Sequence, residues 1–225
     1  MATTERFEQR KRIAAQAAAQ LLEDGMRVGL GTGSTVRHLL PAIAERGLRN
    51  LRCVATSPAT ADQGRALGLP VEEFDSRDAL DALDLAIDGA DQVSPRWWAV
   101  KGGGGAHTRE KVVAAAAERF VIVVGEEKLV DAIRPPVPVE LLQFGLAATL
   151  RELGQVEIRA GWPPSPDGGV IADLGEPVDD PAALAARLDA VPGVVGHGLF
   201  PPSMVAAVIV GGDEEPRQLP APPGR

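Results

Sequence analysis

The sequence predicts an α/β protein: a Rossmann-like parallel sheet domain with a smaller ferredoxin-like α+β domain inserted near the C-terminus. Three observations carry that expectation. Up to about residue 134, short apolar runs alternate with helical patterns, as parallel strands joined by crossover helices require. After Arg134-Pro135-Pro136 the order becomes strand, helix, strand, strand, helix, strand, which is the split β-α-β arrangement. A last apolar run, Val205 to Val210, then supplies a strand that returns to the first sheet. The expected boundaries are 1–134 with 203–225 for the larger domain and 135–202 for the smaller.

Each element has its own signal. Alanine and apolar positions at helical spacing place a helix over Glu5 to Leu22, stopped by Gly25. Met26 to Leu30 reads as a strand running into Gly31-Thr32-Gly33-Ser34-Thr35, with a helix to about Arg46. Leu51 to Ala55 is the next strand, and Thr56-Ser57-Pro58 is a helix cap with proline in the first turn. Strands at Val71 to Phe74 and Leu83 to Ile87 are separated by acidic loops, and a helix over Thr108 to Glu118 feeds the β-branched strand Phe120 to Val124. In the smaller domain the strands are Val137 to Leu141, Val156 to Arg159, Val170 to Asp173 and Val194 to Leu199. The helices are Phe144 to Leu153 and Pro181 to Ala190. The proline-rich polar tail, Asp213 to Arg225, is expected to be loosely held.

Composition narrows the function. A net charge of −8 argues against nonspecific nucleic-acid binding, which needs clustered positive charge. The single cysteine, Cys53, excludes an internal disulfide, fits a reducing compartment and reads as a small core residue. No run approaches the ~18 apolar residues that span a membrane. The charged start, Met1 to Arg12, does not read as a signal peptide. The expectation is a cytoplasmic protein with no membrane or nucleic-acid partner.

Four segments carry chemistry. The glycine run Gly102 to Gly105 is led by Lys101 and followed by Thr108-Arg109-Glu110-Lys111. Glycine is costly where a side chain can fix the backbone, so four in a row mark a close approach of main chain to something else. A cation before the run and a carboxylate after it surround one small space, suited to moving a proton on a small anionic substrate. The turn Gly29-Leu30-Gly31-Thr32-Gly33-Ser34-Thr35 lies between strand and helix, where N–H groups and the macrodipole favour an anion such as phosphate. A dinucleotide is disfavoured, because Ser34 stands where the third glycine of G-x-G-x-x-G belongs and no acidic residue ends the next strand. Asp88-Gly89-Ala90-Asp91 sits at a strand's carboxyl end and can hold sugar hydroxyls, transfer a proton or bind a divalent metal; a plain acidic turn is the bland alternative. Lys128 and Lys11 are placed to reach a phosphate or to serve as surface charge. His38, His107 and His197 lack ligand spacing, and no metal site is assigned. Trp97 and Trp98 suit a mouth, core packing or an oligomer contact equally.

In order, these segments resemble the type A ribose-5-phosphate isomerase family. The resemblance rests on Val28 to Thr35, Asp88 to Asp91, Lys101 to Gly105, Thr108 to Lys111, Pro136 to Glu140, and Pro192 to Val195 with Gly198 to Phe200. It extends from about Arg12 to Gly211. It implies cofactor-free interconversion of D-ribose 5-phosphate and D-ribulose 5-phosphate, in the pentose phosphate pathway, through a cis-enediolate. By the family pattern Glu110 is the proton acceptor. Thr32, Gly33, Ser34, Thr35, Asp88, Gly89, Ala90, Asp91, Lys101, Gly102, Gly103, Gly104 and Lys128 match its substrate-binding positions. Lys101 is expected to stabilise the enediolate and Asp88 to assist ring opening. A homodimer or homotetramer is implied. Gln92, His107, the short segment between Gly154 and Val170, and Pro166-Asp167-Gly168-Gly169 depart from the pattern. Two other classes share the phosphate turn: an amino-sugar phosphate deaminase-isomerase and a non-catalytic sugar-phosphate-binding domain. The chain shows neither a suitably placed histidine for the first nor a helix-turn-helix for the second.

Overall fold

The computed structural model describes residues 3–76, 79–220 and 222. The first half contains α1 (Thr3–Ala19), β1 (Arg27–Leu30), α2 (Val36–Glu45), β2 (Arg52–Ala55), α3 (Pro58–Ala66), β3 (Val71–Glu72) and β4 (Leu83–Asp88). Two short strands follow, β5 (Gln92–Val93) and β6 (Ala99–Val100), then α4 (His107–Ala115), β7 (Ala117–Gly125) and a 3₁₀ turn at Glu126–Lys128. The remainder is β8 (Val137–Leu141), α5 (Leu146–Leu153), β9 (Val156–Ile158), β10 (Val170–Leu174), α6 (Pro181–Asp189), β11 (Val194–His197), β12 (Leu199–Phe200), β13 (Val205–Gly211) and β14 (Pro216–Gln218).

Seven strands form the main sheet in the order β14-β13-β7-β4-β1-β2-β3, parallel throughout except for β14 against β13. Both faces are covered, which explains why β7 is apolar without alternation. One face packs Val28, Leu30, Val121 and Val123 under alanines of α1 and Leu39, Leu40 and Ile43 of α2. The other packs Phe120, Ile122 and Val208 under Val113 and Ala114 of α4. Burying one such Val or Ile stabilises by roughly 1.5–3 kcal/mol, which exceeds the ~1 kcal/mol span of strand propensity. Packing therefore decides these strands. α3 starts as its sequence predicts: the Ser57 hydroxyl accepts from Thr60 N–H and Pro58 opens the first turn.

The second sheet is antiparallel, ordered β11-β8-β10-β9, the strand order of a ferredoxin-like unit. Its core joins Val137, Val139 and Leu174 to Leu153 of α5 and Leu184 and Leu188 of α6.

Two expectations need correction. Val194 to Leu199 is not one strand. The chain changes partners at Gly198, whose N–H donates to Pro138 O and whose carbonyl accepts from Lys101 N–H. Leu199–Phe200 then pairs with β6 in a third sheet, β12-β6-β5. Nor is the start of the tail loose. Asp213 binds the guanidinium groups of Arg6 and Arg10 on α1, and Pro216 opens edge strand β14, where its missing N–H costs no ladder bond. Trp97 is buried in the core against the main sheet, and Trp98 packs beside the small sheet's core.

Candidate active site

The carboxyl edge of the main sheet, where open parallel sheets bind ligands, collects most of the chemistry-bearing residues. Asp88 is the last residue of β4 and is buried. Its Oδ1 accepts from Thr32 N–H (3.1 Å) and Gly89 N–H (2.7 Å). The carboxyl group lies directly over β1's exit: a Cβ on Gly31 would stand 1.9 Å from Asp88 Cγ. Only glycine at 31 leaves that carboxyl group room.

Lys101 follows β6 and is 2 % exposed. Its ammonium donates to Gly89 O and lies 2.8 Å from Asp88 Oδ2 and 3.2 Å from Glu110 Oε2. Glu110 is 4 % exposed, in the first turn of α4, whose opening N–H groups include its own bond to Ala106 O. One cation thus serves two carboxylates in a dry space. Burial, then the charge of Asp88, pushes the Glu110 carboxyl up to about 8, against the pull of Lys101. Burial also raises Asp88 above the usual range, opposed by Lys101 and its two N–H donors. Burial disfavours the Lys101 charge, yet its two carboxylate neighbours outweigh that and hold it above its ordinary value. Among the described residues Asp88 has backbone N–H donors and Glu110 has none, so negative charge is better supported on Asp88 than on Glu110.

The glycine run wraps this cluster. Gly103 N–H donates to Asp91 Oδ2 at 2.7 Å, and a Cβ on Gly103 would stand 2.6 Å from Asp91 Oδ1. The close approach read from the sequence is therefore to Asp91. Thr32 Oγ1 lies 2.7 Å from Thr56 Oγ1, fixing the Thr32–Thr35 turn against the start of α3. Thr35 does not cap α2 with its side chain; its hydroxyl faces Gly89. Gly33 and Ser34 complete this turn at the helix N-terminus.

The fold thus brings together Asp88, Asp91, Lys101, Gly102 to Gly104 and Glu110, with Thr32 to Thr35 joined through Asp88 and Gly89. Ala90 contributes packing beside the core. Lys128 lies on the same sheet edge, in the 3₁₀ turn after β7, half-buried, and no contact among the described residues ties it to the cluster. Lys11 ion-pairs with Glu8 on its own helix at 2.6 Å. Cys53 is fully buried in β2. His107 and His197 are buried, and no group of three potential metal ligands occurs among the described residues.

Sequence reasoning missed three contributors. Thr56 was readable as a strand-end hydroxyl on the same sheet edge. Phe200, whose ring centroid lies 5.5 Å from Lys101 Nζ, falls in a matching stretch that was given no role, and Arg159, which donates to the carbonyls of Gly102 and Gly103, comes from a distant segment with no local signal.

Residues 52–215 match the family model of ribose 5-phosphate isomerase A (phosphoriboisomerase A). The chain is 41 % identical over 218 residues to ribose-5-phosphate isomerase A of Caulobacter vibrioides (strain NA1000 / CB15N), covering 91 % of this chain and 94 % of that protein. The crystal structure of ribose 5-phosphate isomerase A from Neisseria gonorrhoeae superposes with a TM-score of 0.89 at 31 % identity, covering 96 % of this chain and 97 % of the other. A D-ribose-5-phosphate isomerase in complex with phospho-erythronic acid superposes with a TM-score of 0.87 at 34 % identity, covering 97 % and 99 %. The chain belongs to the ribose 5-phosphate isomerase A family.

Proposed function

We propose that this chain interconverts D-ribose 5-phosphate and D-ribulose 5-phosphate, with Glu110 as the group that moves the proton. One observation carries the assignment: a buried carboxyl group raised to about 8 beside a buried lysine, at the ligand-binding edge of the sheet. A carboxyl group ionising near neutrality both takes a proton from C2 and returns it to C1. The electron pair left on carbon moves onto the carbonyl oxygen, giving an enediolate; a hydroxyl proton passes between O2 and O1 before reprotonation. The Lys101 ammonium and the N–H groups of the glycine run stabilise the charge that develops on oxygen. Asp88 exchanges a proton with the ring or anomeric oxygen to open the furanose, and Asp91 orients hydroxyls. The proton leaves and returns on one carboxylate, so the chemistry requires no cofactor.

The turn Thr32 to Thr35 holds the phosphate with Lys128, and Lys11 adds a further cation. Pinning that end positions the reacting carbons over Glu110. The relative that holds phospho-erythronic acid, a sugar-acid phosphate, supports this class of ligand. We further infer a homodimer or homotetramer, for which exposed Phe144, Leu142 and Ile158 suit burial against a second copy, and a cytoplasmic location.

Incubation of purified protein with D-ribose 5-phosphate, with and without chelator, tests the reading. Ketose formation at an unchanged rate in chelator is expected. Absence of turnover by well-folded protein would refute the isomerase assignment.

A further inference from the structure

Arg159 stands just past β9, in the small antiparallel sheet, yet reaches into the glycine run of the catalytic cluster. Its Nη1 donates to Gly102 O at 2.9 Å and Gly103 O at 3.3 Å. Its Nε and Nη2 take both carboxylate oxygens of Asp173 on β10, at 2.7 and 2.8 Å. The guanidinium also stacks over Trp162, 4.7 Å from the ring centroid. Eleven per cent of the side chain is exposed. A planar fork locked on three sides has little freedom left, which suits a part that sets geometry.

What it sets follows from the peptide unit. In a trans peptide the C=O and the N–H point to opposite sides of the chain. The Gly102–Gly103 unit shows this: its carbonyl faces Arg159 and its N–H donates to Asp91 Oδ2 at 2.7 Å. The next unit repeats the arrangement. With Gly103 O drawn toward Arg159, the planar peptide turns the Gly104 N–H away from the guanidinium, and Gly104 itself borders the phosphate turn, where a Cβ on it would stand 3.7 Å from Thr32 Cγ2. Among the described residues no acceptor within the chain takes that N–H. A cation on the carbonyl also polarises the peptide and makes its N–H a stronger donor.

We propose that Arg159 is a positioning residue of the isomerisation: by holding the Gly102 and Gly103 carbonyls it aims Gly103 N–H at Asp91 and Gly104 N–H at the sugar oxygen that becomes negative. This rests on the isomerase reading above. Four free glycines would otherwise rotate their peptide planes at little cost. The Arg159 guanidinium spends its donors on Asp173 and the two glycine carbonyls, so it acts through the glycine run and its effect belongs to the transition state more than to binding. Removing one oxyanion donor outright costs about 10²–10³ in kcat; loosening its aim costs less.

The test compares Arg159→Met and Arg159→Lys with the unmodified protein, using D-ribose 5-phosphate as substrate. The expected result is a fall in kcat of about 10- to 100-fold in Arg159→Met, KM within about threefold, and an unshifted pH profile, since Glu110 is untouched. The inhibition constant of arabinonate 5-phosphate, an enediolate mimic, should rise in step with the loss of kcat/KM, while that of inorganic phosphate stays constant. Added guanidinium should restore part of the activity of an Arg159→Ala variant. A purely structural role would lower the melting temperature and leave these ratios unmoved. Full kcat in Arg159→Met, or equal weakening of both inhibitors, overturns the proposal. Should Arg159→Met not fold, Arg159→Lys carries the test, because an ammonium has three donors and no planar fork with which to meet both Asp173 oxygens and both carbonyls. An unmodified protein that fails to turn over the sugar would sink the isomerase reading instead.

Discussion

The Lys101 ammonium stands 2.8 Å from Asp88 Oδ2, closer than to any oxygen of Glu110. Asp88 also takes two backbone N–H groups, so its anion is the better supported of the two, while burial and the charge of Asp88 push Glu110 up to about 8. Glu110→Gln should therefore preserve the packing and lose the chemistry. We expect kcat to fall by about 10²–10⁴ with KM little changed. Retained turnover in steady-state assays would remove Glu110 from the mechanism.

The same carboxyl group shapes two pH profiles. The free enzyme needs it ionised, so kcat/KM should climb as pH rises toward about 8 and then level. Stability should move the other way. Glu110 binds its proton up to about 8 when folded, against 4.5 as its reference value. Its contribution is complete below 4.5 and is lost as pH rises through about 8. Melting curves at pH 5, 7 and 9 should show Glu110→Gln declining less than the parent. Parallel declines would mean that Glu110 is not held protonated.

His107 gives the opposite slope. Burial, and then the charge of Lys111, pushes its imidazole down to about 3 from 6.5. A depressed folded value means stability that is present above pH 6.5 and lost as pH falls toward 3. His197, pushed to about 4 by burial and Lys111, adds to the same window. Replacing His107 by leucine, in a site closed to solvent, should narrow the gap in melting temperature between pH 7 and pH 4. An unchanged gap would show that the imidazole is not buried neutral.

Lys128→Ala tests the phosphate anchor. A charge-assisted bond of the usual strength predicts a KM increase of about 10- to 100-fold, with kcat nearly preserved. If KM stays constant in ribose 5-phosphate assays, the anchor lies elsewhere, with Lys11 as the next candidate.

How far the sequence reaches depends on how local each cause is. Val137 to Leu141 is a strand with those bounds because Val137, Val139 and Leu141 alternate at strand period between irregular segments. The close approach at the glycine run was legible because four glycines are costly where side chains can fix the backbone, and Gly103 does lie against Asp91. The break at Gly198 was not, since Val194 to Leu199 reads as one apolar stretch and its division comes from bonds to Pro138 and Lys101 far away. The strand at Pro216 was hidden by a proline that suits only an edge, and whether an edge exists there depends on β13. Arg159 had no signal at all, because its meaning lies in two carbonyls 57 and 56 residues distant in sequence.

The clip between Lys101 and Gly198 has a consequence for how the molecule can be divided. Because Lys101 N–H is tied to Gly198, and Gly198 in turn to Pro138, the amine's backbone is stitched into the small sheet as firmly as its tip is tied to the large one. Excising residues 135–202 would leave the strands of the large sheet intact and Lys101 held by its tip alone, without the Gly198 bond to its backbone. Fragments built on the larger sheet alone should fold better than they react.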